Sequence, residues 1–94
     1  MHVVLTYDIT ADGRRARLHK RLKALIRPVQ LSVFQGDVPE SRWSRLLSLI
    51  HNGIDPRQDS VRIYPLCRAC AGMVQSFGVA PELRDPAAPI IVST

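Results

Sequence analysis

Asp8 is an acid at the end of a short apolar run, and it is the candidate metal ligand of this sequence. The run from Val3 to Tyr7 is rich in β-branched and apolar residues, which predicts a strand buried on both faces. A carboxylate directly after such a strand, ahead of a basic segment, suits a hard cation such as Mg²⁺. One carboxylate holds such an ion weakly, but a two-fold axis near Asp8 would bring a second copy beside it. The alternative is that Asp8 only accepts backbone N–H groups in the following turn.

A cluster of cations follows this acid. Residues 14–27 hold 7 basic side chains and no acid. Like charges three or four residues apart on a helix repel by roughly 0.2–0.5 kcal/mol per pair, so this density favours an anion nearby. Nucleic-acid phosphate is the expected anion, and the alternative is a solvated helix face. The predicted nucleic-acid-binding residues are Arg14, Arg15, Arg17, Lys20, Arg21 and Lys23.

The two cysteines, Cys67 and Cys70, form one C-x-x-C motif. Such a pair could be redox-active or supply half of a four-thiolate zinc site. The histidines are scattered, so no further metal ligands stand at suitable spacing. We expect reduced structural thiols under a short helix, and a thiol- or metal-handling domain is the competing hypothesis.

Two helices and four strands are predicted to position these residues. The turn at residues 8–13 offers Thr10 or Asp12 as a helix cap, and the helix after it ends at Pro28. Alternating residues predict strands at 30–36 and 60–65, with a helix from Pro39 to about His51 between them. A helical turn at 67–73 and a last strand at 74–79 complete the pattern. The apolar stripe of the first helix is Ala11, Leu18, Leu22, Leu25 and Ile26.

This order predicts an α+β fold, a ferredoxin-like β-α-β-β-α-β sandwich with a four-stranded antiparallel sheet and two main helices on one face. The strands at 3–8 and 60–65 would be central. Val4, Thr6 and Phe34 would lie on the other face, where a second subunit is the expected cover, which makes a sheet-to-sheet homodimer. The domain would span residues 1–80. Residues 81–94 would form a tail with an edge strand at Ile90–Val92.

The overall composition agrees with one small basic domain. The chain has 94 residues, a net charge of +5 and a sequence pI near 10.0, with arginine supplying most of the positive charge. Arginine suits phosphate because its planar guanidinium donates two parallel hydrogen bonds. No apolar run approaches the roughly 20 residues that span a bilayer, so we expect a cytoplasmic protein without a membrane partner.

Three segments together resemble one protein family, and they occur in the same order and at similar spacing as in that family. They are Tyr7-Asp8-Ile9 with the arginines after it, Gln30 to Gly36 (QLSVFQG), and Asp59 to Cys67 (DSVRIYPLC). Over residues 1–79 the chain is similar to the second CRISPR-associated protein family, the small non-integrase subunit of the spacer-acquisition complex.

The resemblance implies a homodimer that bridges two dimers of the CRISPR integrase and holds the middle of a prespacer DNA duplex. It also implies a metal-dependent endonuclease acting on RNA or DNA, in which Asp8 of each subunit binds Mg²⁺, or Mn²⁺, at the dimer interface. The same match assigns roles in nuclease activity to Tyr7, Asp8, Arg15, Arg17 and Phe34. Two functions stay open: a DNA-binding scaffold with Mg²⁺-dependent nuclease activity, and an endoribonuclease without a scaffold role.

Overall fold

The structure, a computed structural model, describes residues 1–78 and the backbone of residues 92–93. The predicted boundary at residue 80 lies outside the described residues. Of the predicted edge strand at 90–92, only Val92 is described. In chain order the elements are β1 (His2–Asp8), α1 (Asp12–Leu22), β2 (Arg27–Gln30), β3 (Val33–Asp37), α2 (Glu40–Gly53), β4 (Ser60–Leu66), α3 (Arg68–Ala71), β5 (Ser76–Phe77) and β6 (Val92–Ser93).

Four antiparallel strands form the main sheet in the order β2-β3-β1-β4. With α1 after β1 and α2 after β3, this is the predicted ferredoxin-like α+β arrangement, which the structure confirms. The central strand β1 pairs along its length with β4, from His2 opposite Leu66 to Asp8 opposite Ser60. The end of β1 at Asp8 therefore has a fixed neighbour.

The core lies between the sheet and the two main helices. Val3, Leu5 and Tyr7 alternate along β1 and are buried, while the residues between them are only half-buried. The prediction that β1 is buried on both faces is therefore wrong, because α1 and α2 both pack on one face. Those helices contribute the buried side chains Leu18, Leu22, Leu46 and Ile50.

The other face of the sheet, called the open face below, is turned away from α1 and α2. Side chains alternate along a strand, so His2, Val4, Thr6 and Asp8 share this face. The antiparallel register brings alternate residues of the neighbouring strands to the same face. These residues are Val33, Gln35, Asp37, Ser60, Arg62, Tyr64 and Leu66.

The predicted strand at 30–36 is two strands, β2 and β3, joined by a turn at Leu31 and Ser32. This division also moves Phe34. It lies opposite Leu5 and is fully buried, so its predicted place on the exposed face is wrong. The physical reason is the alternation of side chains: Phe34 shares the face of its partner Leu5, where the helices cover it.

The predicted central position of residues 60–65 is also wrong, because β4 is an edge strand of the main sheet. The β2-β3 hairpin occupies the other side of β1 and so places β3 beside it. The predicted last strand at 74–79 is reduced to the two residues of β5, which pair in parallel with β6 in a separate small sheet. Neither of these short strands belongs to the main sheet.

Helix α2 agrees closely with its predicted segment, but the predicted end of the first helix at Pro28 is wrong, because Pro28 lies in β2. The predicted caps of α1 are wrong as well. Neither Thr10 nor Asp12 caps α1, whose N-cap residue Ala11 makes no side-chain hydrogen bond. Helix α1 ends at Leu22, and Leu25 and Ile26 still enter the core beyond it. Among the described residues, no helix combines the length and apolar character needed to cross a membrane.

Phe34 provides a test of this core. Replacing Phe34 with alanine removes a fully buried ring, so we expect the free energy of unfolding to fall by about 3–5 kcal/mol. Urea denaturation followed by circular dichroism measures this change. Leu31→Ala is the matched control, because Leu31 is 94% exposed in the adjacent turn and its truncation should change stability by about 0.5 kcal/mol or less. Equal effects of the two substitutions would contradict this core.

Candidate functional site

Asp8 is exposed at the end of the central strand, on the open face of the sheet. Its backbone is held opposite Ser60 of β4. Within residues 1–78, its carboxylate accepts no hydrogen bond from another residue, so the structure gives no support to the alternative in which it stabilises the turn. The carboxylate is available to a ligand in solution.

Arg15 braces the loop that leaves Asp8. Its guanidinium donates to the Ile9 carbonyl at 3.1 Å and pairs with Asp12 in the first turn of α1. Its side chain is still 45% exposed, so it stabilises the loop and presents positive charge to solvent. The predicted site residue Arg15 therefore binds the residue that follows Asp8 in the chain.

Arg17 also turns toward the start of α1. Its guanidinium lies against Gly13, with the Nη1 atom 3.4 Å from the position that a Cβ at residue 13 would occupy. The guanidinium therefore lies near the N-terminal end of α1, which a short loop joins to Asp8. The other predicted basic residues of this segment are also exposed: Lys20, Arg21 and Lys23.

Arg14 differs from these cations because a buried acid from a distant part of the chain binds it. The Arg14 guanidinium donates two hydrogen bonds to the fully buried Asp59 carboxylate, at 2.5 and 2.9 Å. Asp59 also accepts the Asp55 N–H at 2.8 Å. This pairing, with the Asp55 N–H, lowers the pKa of Asp59 from 3.8 to about 2, although burial acts in the opposite direction. The predicted nucleic-acid contact of Arg14 stays a prediction.

Asp59 is a structural site residue that the sequence reasoning did not single out. It joins the loop before β4 to α1 and so fixes Ser60 next to Asp8. The partners are 45 residues apart in sequence. The one sequence signal was an acid immediately before an apolar strand, which does not identify its partner.

Tyr7 and Phe34, predicted from the resemblance to act in the nuclease site, lie in the core behind Asp8. The Tyr7 hydroxyl donates to the Leu31 carbonyl at 3.1 Å and lies 3.0 Å from Nδ1 of His19. Because the hydroxyl has one proton, we assign a proton to His19 Nδ1, which then donates to Tyr7. Burial raises the pKa of Tyr7, and the charge of Arg15 opposes this effect.

Phe34 packs beside this pair, with ring centroids 5.0 Å from His19 and 6.2 Å from Tyr7. The cluster ties α1 to the β2-β3 turn. Sequence reasoning treated His19 as an isolated histidine, since its partner lies on a different element. The catalytic roles implied for Tyr7 and Phe34 stay predictions; both side chains are inaccessible to a ligand at the surface.

The structure brings Asp8, Arg15 and Arg17 to one end of the molecule and leaves the cysteines elsewhere. Cys67 follows the end of β4 that pairs with His2, whereas Asp8 pairs with the first residue of that strand. A seven-residue strand spans about 20 Å. In the part of the chain described, no group of three or more histidine, cysteine or acidic side chains could hold a metal ion. Asp8 alone therefore supplies an incomplete metal site.

Comparison with known proteins identifies the family. The family model described as CRISPR associated protein Cas2 matches residues 1–74. This chain belongs to the Cas2 family. A relative from Chloroflexus aurantiacus, named CRISPR-associated endoribonuclease Cas2 3, is 35% identical over 92% of this chain and 92% of its own length. A relative from Thermus thermophilus, named CRISPR-associated endonuclease Cas2 2, is 40% identical over 86% of this chain and 88% of its own length.

Solved structures give the same family fold. The chain superimposes on Streptococcus pyogenes Cas2 with a TM-score of 0.73 at 26% identity, covering 83% of this chain and all of the other. A hypothetical protein from Thermus thermophilus gives a TM-score of 0.75 at 36% identity, covering 86% of this chain and 94% of the other. Membership in the Cas2 family confirms the resemblance seen in the sequence. The nuclease names of the relatives agree with the predicted class of enzyme.

The Arg14–Asp59 pair predicts how the stability of this Cas2 protein changes with pH. Because the pKa of Asp59 falls on folding, its contribution is fully present above 3.8 and is lost as the pH falls toward about 2. We expect Asp59→Asn to lower the urea midpoint at pH 7, and this deficit to shrink over that acid range. Asp12→Asn is the control, since Asp12 is 90% exposed and should cause little change. A deficit independent of pH would contradict the assignment.

Proposed function

We propose that this Cas2 protein acts as a homodimer in which Asp8 of each subunit forms one Mg²⁺-dependent site that cuts phosphodiester bonds in RNA or DNA. The observation that carries the proposal is the position of Asp8. It is an exposed carboxylate with no hydrogen-bond partner in the described residues, at the end of the central strand, and Arg15 binds the carbonyl of the residue that follows it. The nuclease names of the relatives support the reaction class.

The open face of the sheet supports the homodimer. It carries half-buried Val4 and Leu66 together with Tyr64, which is 45% exposed. Covering apolar side chains of this kind with a second copy removes them from water. A two-fold axis crossing the open face near Asp8 would bring two carboxylates together, which one chain cannot do alone.

Two Asp8 carboxylates fit the ligand preference of Mg²⁺ or Mn²⁺, which favour oxygen donors. Such an ion would activate water and stabilise the charge that develops on the phosphate during hydrolysis. Arg15 and Arg17 would neutralise the phosphates on either side of the cut bond. Tyr7 and Phe34 would act behind Asp8 as positioning residues, by holding the β2-β3 turn and α1 in place.

A second function, binding of duplex DNA as a scaffold for the CRISPR integrase in spacer acquisition, is favoured by the exposed cations of α1. Arg17, Lys20 and Arg21 have no acidic partner in the described chain. Phosphate contacts of this type give affinity without sequence preference, which suits a scaffold for spacers of many sequences. The same surface would hold the substrate of the nuclease, so the two functions are compatible.

Asp8→Asn tests the nuclease. The substitution removes the charge that would hold Mg²⁺, so we expect cleavage of single-stranded RNA and duplex DNA to fall by roughly 100-fold or more, the order lost with a positioned catalytic group. EDTA should abolish cleavage by the wild-type protein, and added Mg²⁺ or Mn²⁺ should restore it. Asp37→Asn is the control, because Asp37 is an exposed acid at the opposite end of the sheet. Cleavage that survives in Asp8→Asn or in EDTA would refute the proposed site.

The salt dependence of DNA affinity tests the scaffold. Counterion release predicts that the logarithm of affinity falls by about 0.9 per phosphate contact for each tenfold rise in salt concentration. We expect Arg17→Gln with Arg21→Gln to weaken binding and to reduce this slope by roughly 4 in the proposed homodimer, since each of its four substituted arginines neutralises one phosphate. Asp8→Asn should leave the slope unchanged, and the control Arg42→Gln with Arg45→Gln removes equal charge from α2. Equal losses of affinity for the two pairs would show net charge alone, without a binding surface on α1.

A further inference from the structure

The Cys67-x-x-Cys70 pair takes no part in the proposed nuclease or scaffold. Both thiols are free and exposed. They lie just beyond β4, in the segment that forms α3, about one strand length from Asp8. Free cysteines are more often buried, so two exposed thiols in one short segment require an explanation.

The backbone of this segment brings the two cysteines together. Cys67 is the N-cap residue of α3, and its Sγ accepts a hydrogen bond from the Cys70 N–H at 3.3 Å. The nitrogen of that group is bonded directly to the Cα of Cys70. The Cys67 sulfur therefore already lies over the turn that carries the second thiol. A bond between the two sulfurs would therefore lie within this one turn.

The two thiols are unequal. The Cys70 N–H and the Cys70 thiol lower the pKa of Cys67, because both stabilise its thiolate. The same interaction raises the pKa of Cys70. Since the thiolate is the nucleophile in disulfide exchange, Cys67 is suited to react first and Cys70 to react second.

We propose that Cys67 and Cys70 form a reversible dithiol–disulfide site that exchanges with low-molecular-weight disulfides such as glutathione disulfide. The proposal rests on the mutual contact and exposure of the pair, and it is independent of the proposed function at Asp8. A zinc site is the competing use of two thiols. In the described residues, however, no third histidine, cysteine or acidic side chain joins this pair in a metal-binding group.

The exchange has two steps. The Cys67 thiolate attacks one sulfur of the small disulfide, and a mixed disulfide forms while one small thiolate leaves. The Cys70 thiol then loses its proton and attacks the Cys67 sulfur, which expels the second small thiolate. The protein loses two protons and two electrons, and the small disulfide gains them to become two thiols. An excess of a reducing thiol reverses both steps.

Mass spectrometry of the full chain under non-reducing conditions tests the proposal. With glutathione disulfide, we expect the wild-type protein to lose the mass of two hydrogen atoms, and dithiothreitol to restore it. Cys70→Ser should accumulate one glutathione adduct on Cys67, because the second step is blocked. Cys67→Ser should react more slowly at Cys70, because the backbone N–H that stabilises the Cys67 thiolate does not contact the Cys70 sulfur.

Three results would overturn the proposal. They are stable glutathione adducts on both cysteines of the wild-type protein, equal reaction rates of the two serine variants, and stoichiometric zinc that prevents oxidation. Thermal unfolding and DNA affinity of both variants serve as folding controls. Both cysteines are exposed, so we expect the reduced variants to match the wild-type protein in each. Loss of cleavage in Asp8→Asn has no bearing on this outcome.

Discussion

The structure depends on the two-sided pairing of β1. This strand lies between β3 and β4, and it buries Val3, Leu5 and Tyr7 against both main helices. A strand held in this way cannot slip by one residue without moving those three side chains to the opposite face. The same constraint fixes the strand's last residue, Asp8. The position of the candidate ligand is therefore a consequence of core packing.

Much of this fold follows from the sequence, because its helices show clear periodicity and its central strand is an unbroken run of β-branched and apolar residues. The hairpin at 27–37 cannot be predicted in this way, because the turn at Leu31 and Ser32 contains neither glycine nor proline. The same residues are equally compatible with one continuous strand. The continuous strand also determined the predicted face of Phe34. The missed turn therefore caused two errors, the number of strands and the face of Phe34. The edge position of β4 was missed for a related reason: strand order depends on where the hairpin lies.

The candidate site also has one part that the sequence predicts and another that only the structure reveals. Asp8 and the α1 cations are neighbours along the chain, so spacing alone predicts that they lie together. The contacts of Asp59 with Arg14 and of His19 with Tyr7 join different elements, and local patterns carry no information about such pairs. The sequence thus indicated the groups that face solvent, whereas the structure was needed to find the groups that hold them.

The pairing of Arg14 with Asp59 also limits how this chain can diverge. Loss of either partner alone leaves the other with an unbalanced charge in a poorly hydrated position, which is costly for a small domain. The two positions are therefore constrained to change together, although 45 residues separate them. Arg17 has no such partner in the described chain, so the fold places no such constraint on it. Two arginines three residues apart on one helix are thus under different constraints, because folding requires the pair of Arg14 with Asp59 and makes no such demand of Arg17.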